Sequence, residues 1–314
     1  MTSGTQPRSP FPFDAIARQG KEPLRQLLEK LPVPRRDAVL EEVGWVIRLL
    51  DAASGDQYFR VPVEALGWWR KVKPQEEREQ YLWGAILLAL LIPELPERFL
   101  AHPLPAPCLE GVLEQLQRIV SGLTGDSPRP MSLEHDLFLK DLGICRLEMV
   151  PGGAALIEKY AAIPRSLAFR HGLRQMLQVT KMALQHRGRI APYLALHLHT
   201  PMLRSFNESG WERCYRLAAE LLSLHPEYRG LIGSSWFYDP AVEKITPTLS
   251  YLRRFPLQGG AFFLRVGSSP ADIDLATRRD LSGNRVKLYQ EGKYLPTSYL
   301  LVWPRAQLLS WAQR

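Results

Sequence analysis

Apolar residues recur at three- and four-residue intervals through the first part of this chain. After a cluster of turn formers at 122–130 that rhythm gives way to short apolar runs separated by helical stretches. A single change of period limits the chain to a helical core followed by a core built on a sheet. In the first part Leu24, Leu27, Leu28 and Leu31 keep the helical spacing, as do Val39, Val43, Val46, Ile47 and Leu50 before the Gly55-Asp56 break. Pro62 and Pro74 stand where a first-turn proline is tolerated, ahead of helices expected over Val63–Lys71 and Gln75–Leu91, and Leu109–Leu123 reads as a last helix. Pro93 to Pro107 holds five prolines and is expected to be a bent loop. The longest apolar run, Tyr81 to Ile92, falls short of the roughly 20 residues of a membrane span, so a buried helix is expected there.

At 314 residues the chain exceeds the size at which one core keeps growing, and Gly122–Pro130, rich in Gly, Pro, Ser and Asp, is the expected boundary. This gives a flexible tail over 1–12, a helical domain over 13–122 and an α/β domain over 130–314. The expected strands are Ile144–Val150, Ala154–Ile157, Tyr193–His199, Gly230–Phe237, Ala261–Val266 and Ser298–Trp303. The expected helices include His171–Gln185, Glu208–Leu224, Pro240–Leu252, Ala271–Glu291 with an interruption at Gly283, and Pro304–Gln313. Strands alternating with helices predict an α/β (α+β) fold with helices covering a sheet, and no repeat of 20 to 50 residues is visible.

The net charge of +8 is lodged in the second part: residues 126–314 carry 25 Lys and Arg against 16 Asp and Glu, whereas 1–125 carry 15 against 16. That excess suits an anionic small-molecule cofactor or substrate, and its scatter as single residues argues against a nucleic-acid stripe. Cys108, Cys145 and Cys214 are far apart and odd in number, which fits a reducing, cytoplasmic setting. The first part shows no polar constellation for chemistry, so its helices read as a core or as a surface for homo-oligomers.

In Tyr193-Leu-Ala-Leu-His-Leu-His199, alternation places Tyr193, Ala195, His197 and His199 on one face of a strand, at the end where α/β sheets bind ligands. Either imidazole suits a general base or a metal ligand, and a structural pair is the plain alternative. A metal site would add Asp239, His225 or Glu208, though none stands at a known spacing. Asn207 N-caps a helix whose inward stripe is Trp211, Tyr215, Ala218, Ala219 and Leu222, leaving Arg213 and Arg216 to solvent or to a phosphate. The least ordinary segment is Gly230-Leu-Ile-Gly-Ser-Ser-Trp-Phe-Tyr-Asp-Pro240. Ser234 and Ser235 sit at a strand end where a hydroxyl can hold a carbonyl or relay a proton, Trp236 stands beside them, and Asp239 can cap the stretch that follows. Nucleophile-elbow, dinucleotide-binding, P-loop and zinc-protease signatures are absent.

The run from His197 through Trp211 and Ser235-Trp236 to Asp239-Pro240, then Tyr294-Leu-Pro-Thr-Ser298, resembles a group of bacterial acyltransferase-like proteins. These join a helical N-terminal domain to a GNAT-like C-terminal domain. The resemblance implies a GNAT-like mixed sheet binding acyl-CoA between splayed strands. His197 or His199 would be the base and Ser235 its hydrogen-bond partner, while Ser234, Trp236, Trp211, Arg213 and Tyr193 would lie near substrate. The Arg/Gln-x-x-Gly-x-Gly/Ala loop of that superfamily is missing, with Arg187-Gly188-Arg189 as a basic substitute for holding the cofactor. The expected function is transfer of an acyl group from a coenzyme A thioester to an amine or hydroxyl. The alternatives are a metal-dependent enzyme built on His197, His199 and Asp239, and a non-catalytic binding module.

Overall fold

The computed structural model describes residues 13–55, 57–72, 77–123, 131–185, 192–278, 280 and 282–314. The chain forms two compact units, one through Val150 and one from Pro151. The first is helical: α1 (Phe13–Glu29), α2 (Val33–Ala52), α3 (Val63–Val72), α4 (Glu77–Leu91), α5 (Leu95–Ala101), α6 (Ala106–Leu123) and α7 (Asp136–Cys145). At its centre lies α4, against which α1, α2, α6 and α7 pack. Ala85 to Ala89 are all buried there, as a helix apolar on every side demands. The apolar run read as a buried helix is therefore one.

Two boundaries differ from expectation. The prolines at 93–107 do not make one loop, because Pro93, Pro96 and Pro107 each occupy a first turn: of a 3-10 helix at Ile92–Glu94, of α5 and of α6. Most of the expected boundary at Gly122–Pro130 lies outside the described residues, with Gly122 and Leu123 closing α6, and the compact units divide between Val150 and Pro151. The reason is α7, which buries Phe138, Leu139 and Leu142 and packs on α4 and α6, completing the helical unit. Ile144 and Cys145 consequently belong to α7, and the first strand is only Met149–Pro151.

A six-stranded mixed sheet has the order β1-β2-β3-β4-β6-β5, its strands being β1 (Met149–Pro151), which spans the division, and, within the second unit, β2 (Leu156–Ala161), β3 (Tyr193–His197), β4 (Gly230–Ser235), β5 (Phe262–Gly267) and β6 (Ser298–Pro304). β3 runs parallel to β4, while β2/β3, β4/β6 and β5/β6 are antiparallel. Between β2 and β3 come α8 (Leu167–Arg170) and α9 (Leu173–Gln185). They cover one face through Leu167, Val179 and Met182, packed with Tyr193, Ala195, Ile232, Leu300 and Val302. Then follow α10 (Glu208–Leu224), α11 (Val242–Ile245), α12 (Tyr251–Gln258), α13 (Pro270–Arg278), α14 (Asn284–Gln290) and α15 (Arg305–Ala312). The other face is covered by α10 and α15, where the Tyr215 ring lies 5.2 Å from Trp303 and 6.2 Å from Trp311.

Candidate functional site

The parallel ladder between β3 and β4 carries the pairs Leu194↔Leu231, Ala195↔Ile232 and Leu196↔Gly233 and stops there. β4 runs on through Ser234 and Ser235, now paired only with Leu300 and Tyr299 of β6. The parallel pairing thus ends where β3 itself ends, at the C-terminal side of the sheet, the end at which α/β sheets place ligands. The last residue of β3 is His197. Alternation puts it on the face shared by Tyr193 and Ala195 and, on β4, by Ile232 and Ser234.

His197 does not stand alone. Its Nε2 lies 2.6 Å from Oε2 of Glu158, whose side chain is 1 % exposed against 23 % for His197. Glu158 comes from β2, where Leu156 faces His197 and Glu158 faces Ala195, so the pair is a diagonal neighbour across an antiparallel ladder. A carboxylate only accepts, so Nε2 is the ring nitrogen that donates to it. A buried acid that fixes one ring nitrogen orients the imidazole, as a positioned base requires. The sequence reading ended this strand at Ile157 and passed over Glu158. The signal was present in Glu158-Lys159, two charges inside an apolar run, since a buried acid requires a partner.

His199 has a different position. The strand ends at His197, because Pro201 starts a 3-10 helix over Thr200–Ser205. His199 precedes that helix, its carbonyl accepting from Met202 N at 2.9 Å and its side chain buried, so the two histidines do not stand side by side on one strand. Asp239 is likewise committed. Its carboxylate accepts from the N–H of Ala241 at 2.9 Å and from that of Thr297, which ties the Trp236–Pro240 segment to the Leu-Pro-Thr-Ser segment at 295–298. Burial raises its pKa against those bonds and against the charges of Arg253 and Arg265. With His197 on Glu158 and Asp239 capping a turn, the metal set His197, His199 and Asp239 is not assembled. Among the described residues no group of three or more His, Cys, Asp or Glu could hold a metal ion.

The remaining candidates separate into core and rim. Tyr193 is fully buried in the core under α9, and burial pushes its hydroxyl up to about 12. Trp211 is 1 % exposed, with ring contacts to Phe206 at 5.7 Å and Phe237 at 5.8 Å. Both are buried, Trp211 in the inward stripe of α10 and Tyr193 on the face of β3 covered by α9. Ser234 is exposed and Ser235 and Trp236 half-buried at the end of β4, with the Arg285 guanidinium 4.8 Å from the Trp236 ring. Trp236 heads a 3-10 turn over Trp236–Tyr238, so the strand expected through Phe237 stops at Ser235.

At the start of α10 the Asn207 side chain accepts from Gly210 N at 2.9 Å, the expected cap. Gly210 is required there, since an added Cβ would fall 2.0 Å from Ser205 O. Arg213 is exposed on α10, its Nε 3.0 Å from where a Cβ on Gly153 would stand, and among the described residues it makes no ion pair. Arg187 and Arg189 lie outside the described residues.

The fold is similar to that of two solved acyltransferases. One is an acyltransferase mutant in complex with octanoyl-CoA, at a TM-score of 0.53 and 13 % identity. The second is an acyltransferase in complex with CoA and 10C-teicoplanin, at a TM-score of 0.51 and 14 % identity. Each likeness covers 96 % of this chain and 90 % of the other. No family model matches the chain, and no curated protein matches its sequence.

Proposed function

We propose that the chain is an acyltransferase of the GNAT-like kind, moving an acyl group from a coenzyme A thioester to an amine or hydroxyl, with His197 as the base. The observation that carries this reading is the Glu158–His197 pair at the point where the parallel pairing of β3 and β4 ends. The shared fold with acyltransferases solved with CoA or octanoyl-CoA supports it at the level of architecture. The sheet is compatible with such a donor, since β4 continues past the last parallel pair, Leu196↔Gly233, with only β6 beside it.

Acyl-CoA would supply an activated carbonyl: the acceptor nitrogen or oxygen bonds to it, the carbon–sulfur bond breaks and the thiol departs. The residues of the chain do the rest. His197 takes the acceptor's proton while Glu158 orients the ring through Nε2. The Ser234 hydroxyl, on the same sheet face, orients the acceptor, and Ser235 lines the end of β4. Arg213, exposed on α10 and in no ion pair among the described residues, is the cation assigned to the phosphates. The missing Arg/Gln-x-x-Gly-x-Gly/Ala loop fits a terminus where Asn207 already occupies the Gly210 N–H.

The test is a thermal-shift titration with coenzyme A and octanoyl-CoA at low and high salt, followed by turnover of His197→Ala and His199→Ala. A ligand bound only by the folded state raises Tm, and phosphate contacts make the gain shrink with salt. His197→Ala should lose about 10²- to 10⁴-fold in turnover, the usual worth of a general base, and His199→Ala much less at equal folded fraction. Absence of any shift at millimolar ligand, or equal loss in the two variants, would sink the proposal.

A further inference from the structure

β2 and β3 are antiparallel neighbours, which a short hairpin can join, yet between Ala161 and Tyr193 the chain inserts α8 and α9. One face of α9 is firmly seated. Val179 and Met182 enter the core, and the buried Gln175 side chain donates to Leu167 O at 2.8 Å and Arg265 O at 3.0 Å while accepting from Arg265 N at 2.9 Å, so that it pairs with β5 at the edge of the sheet. His171 adds a contact to Val266 O at 3.1 Å. With that face fixed, the leucines on the opposite side are not a misplaced core.

Leu173, Leu177 and Leu184 fall within roughly 40° of one another on a helical wheel, and they are 73 %, 64 % and 75 % exposed; Phe169 of α8 is 80 % exposed. Arg174 and Lys181 are one helical turn from these leucines and border the stripe, with Arg170 at the end of α8. All three cations are exposed, and none makes an ion pair among the described residues. No Asp or Glu occurs between Lys159 and Glu208.

We propose that α8 and α9 form a docking surface for the anionic face of a lipid bilayer, the leucines and Phe169 entering the interface and the cations meeting lipid phosphates. Charge decides against a second copy of the chain as occupant. An interface of this patch with itself would set Arg170, Arg174 and Lys181 against their own copies. The inference is independent of the acyl-transfer reading, because it is measured by vesicle binding and not by turnover.

The test is flotation of the full chain with vesicles of phosphatidylcholine, and with vesicles containing about one third phosphatidylglycerol. Binding to the anionic vesicles only, weakening as salt rises, is expected. Leu173→Ser/Leu177→Ser/Leu184→Ser should abolish it with an unchanged thermal transition, and each of Arg170→Gln, Arg174→Gln and Lys181→Gln should weaken it about fivefold. If the triple variant loses its transition, Leu177→Ser alone supplies the comparison. No flotation of the wild type, flotation unchanged in the leucine variants, or a dimer that those variants dissolve in place of vesicle binding would each overturn the proposal.

Discussion

Replacing Glu158 by Gln keeps the length of the side chain and an oxygen that can accept from His197 Nε2, and removes only the charge. The carboxylate is buried, 2.6 Å from the ring, so what is lost is the difference between a charge-assisted and a neutral hydrogen bond. Taking about 1.5–3 kcal/mol for the first and about 0.5–1.5 for the second, that difference is near 1.5 kcal/mol, or roughly tenfold in rate if it is expressed while His197 takes the proton. An amide is less costly to bury than a carboxylate, so stability should change by no more than about 1 kcal/mol. Steady-state turnover with a saturating acyl donor should therefore show kcat down about tenfold and KM for the donor unchanged. Because Glu158 acts through His197, the cycle with His197→Ala decides the matter: the double variant should be no slower than His197→Ala alone. Losses that multiply in the double variant would refute the positioning role, and so would an unchanged kcat in Glu158→Gln.

Three further outcomes follow from the same geometry. Trp211→Ala removes a fully packed ring and should cost about 3–5 kcal/mol in denaturant unfolding, leaving the donor affinity of the folded fraction unchanged; a large affinity loss with little loss of stability would return Trp211 to the substrate. Gly210→Ala forces a Cβ to within 2.0 Å of Ser205 O, so the 3-10 turn and α10 must move apart, and the Tm should fall even though alanine favours helices elsewhere. Asp239 is held above its ordinary pKa by burial. An acid raised in this way stabilises the fold below its unfolded pKa and loses that contribution as pH rises through the folded value. Asp239→Asn should accordingly raise Tm at about pH 7 and give no gain near pH 3, measured by thermal denaturation; an equal gain at both pH values would contradict the buried-acid reading.

Much of the architecture was legible because it depends on local pattern. The spacing of Val39, Val43, Val46, Ile47 and Leu50 reappears as the buried face of α2, and Asn207 caps α10 as its side chain allows. Glu208–Leu224 matches the reading residue for residue. Errors gathered where proline or distant packing overrides the local signal. Prolines read as a loop start helices at 92–107, Pro201 ends β3 before His199, and α7 joins the helical unit because its apolar face finds α4 and α6.

The candidate site divides along the same line. The amino-acid sequence by itself determined that His197 would stand near the end of a strand, that Ser234 and Ser235 would close another, and that the basic excess would lie in the second part. Alternation, turn formers and composition are properties of neighbours along the chain. Only the tertiary structure decided that His197 is partnered by Glu158, that His199 is buried ahead of a 3-10 helix while Asp239 caps a turn, and that the parallel pairing of β3 and β4 ends at Leu196↔Gly233. Those facts depend on strand order, register and twist among segments separated by helices. A shift of one residue in the β2/β3 register would turn Glu158 to the opposite face and leave the imidazole without its acid.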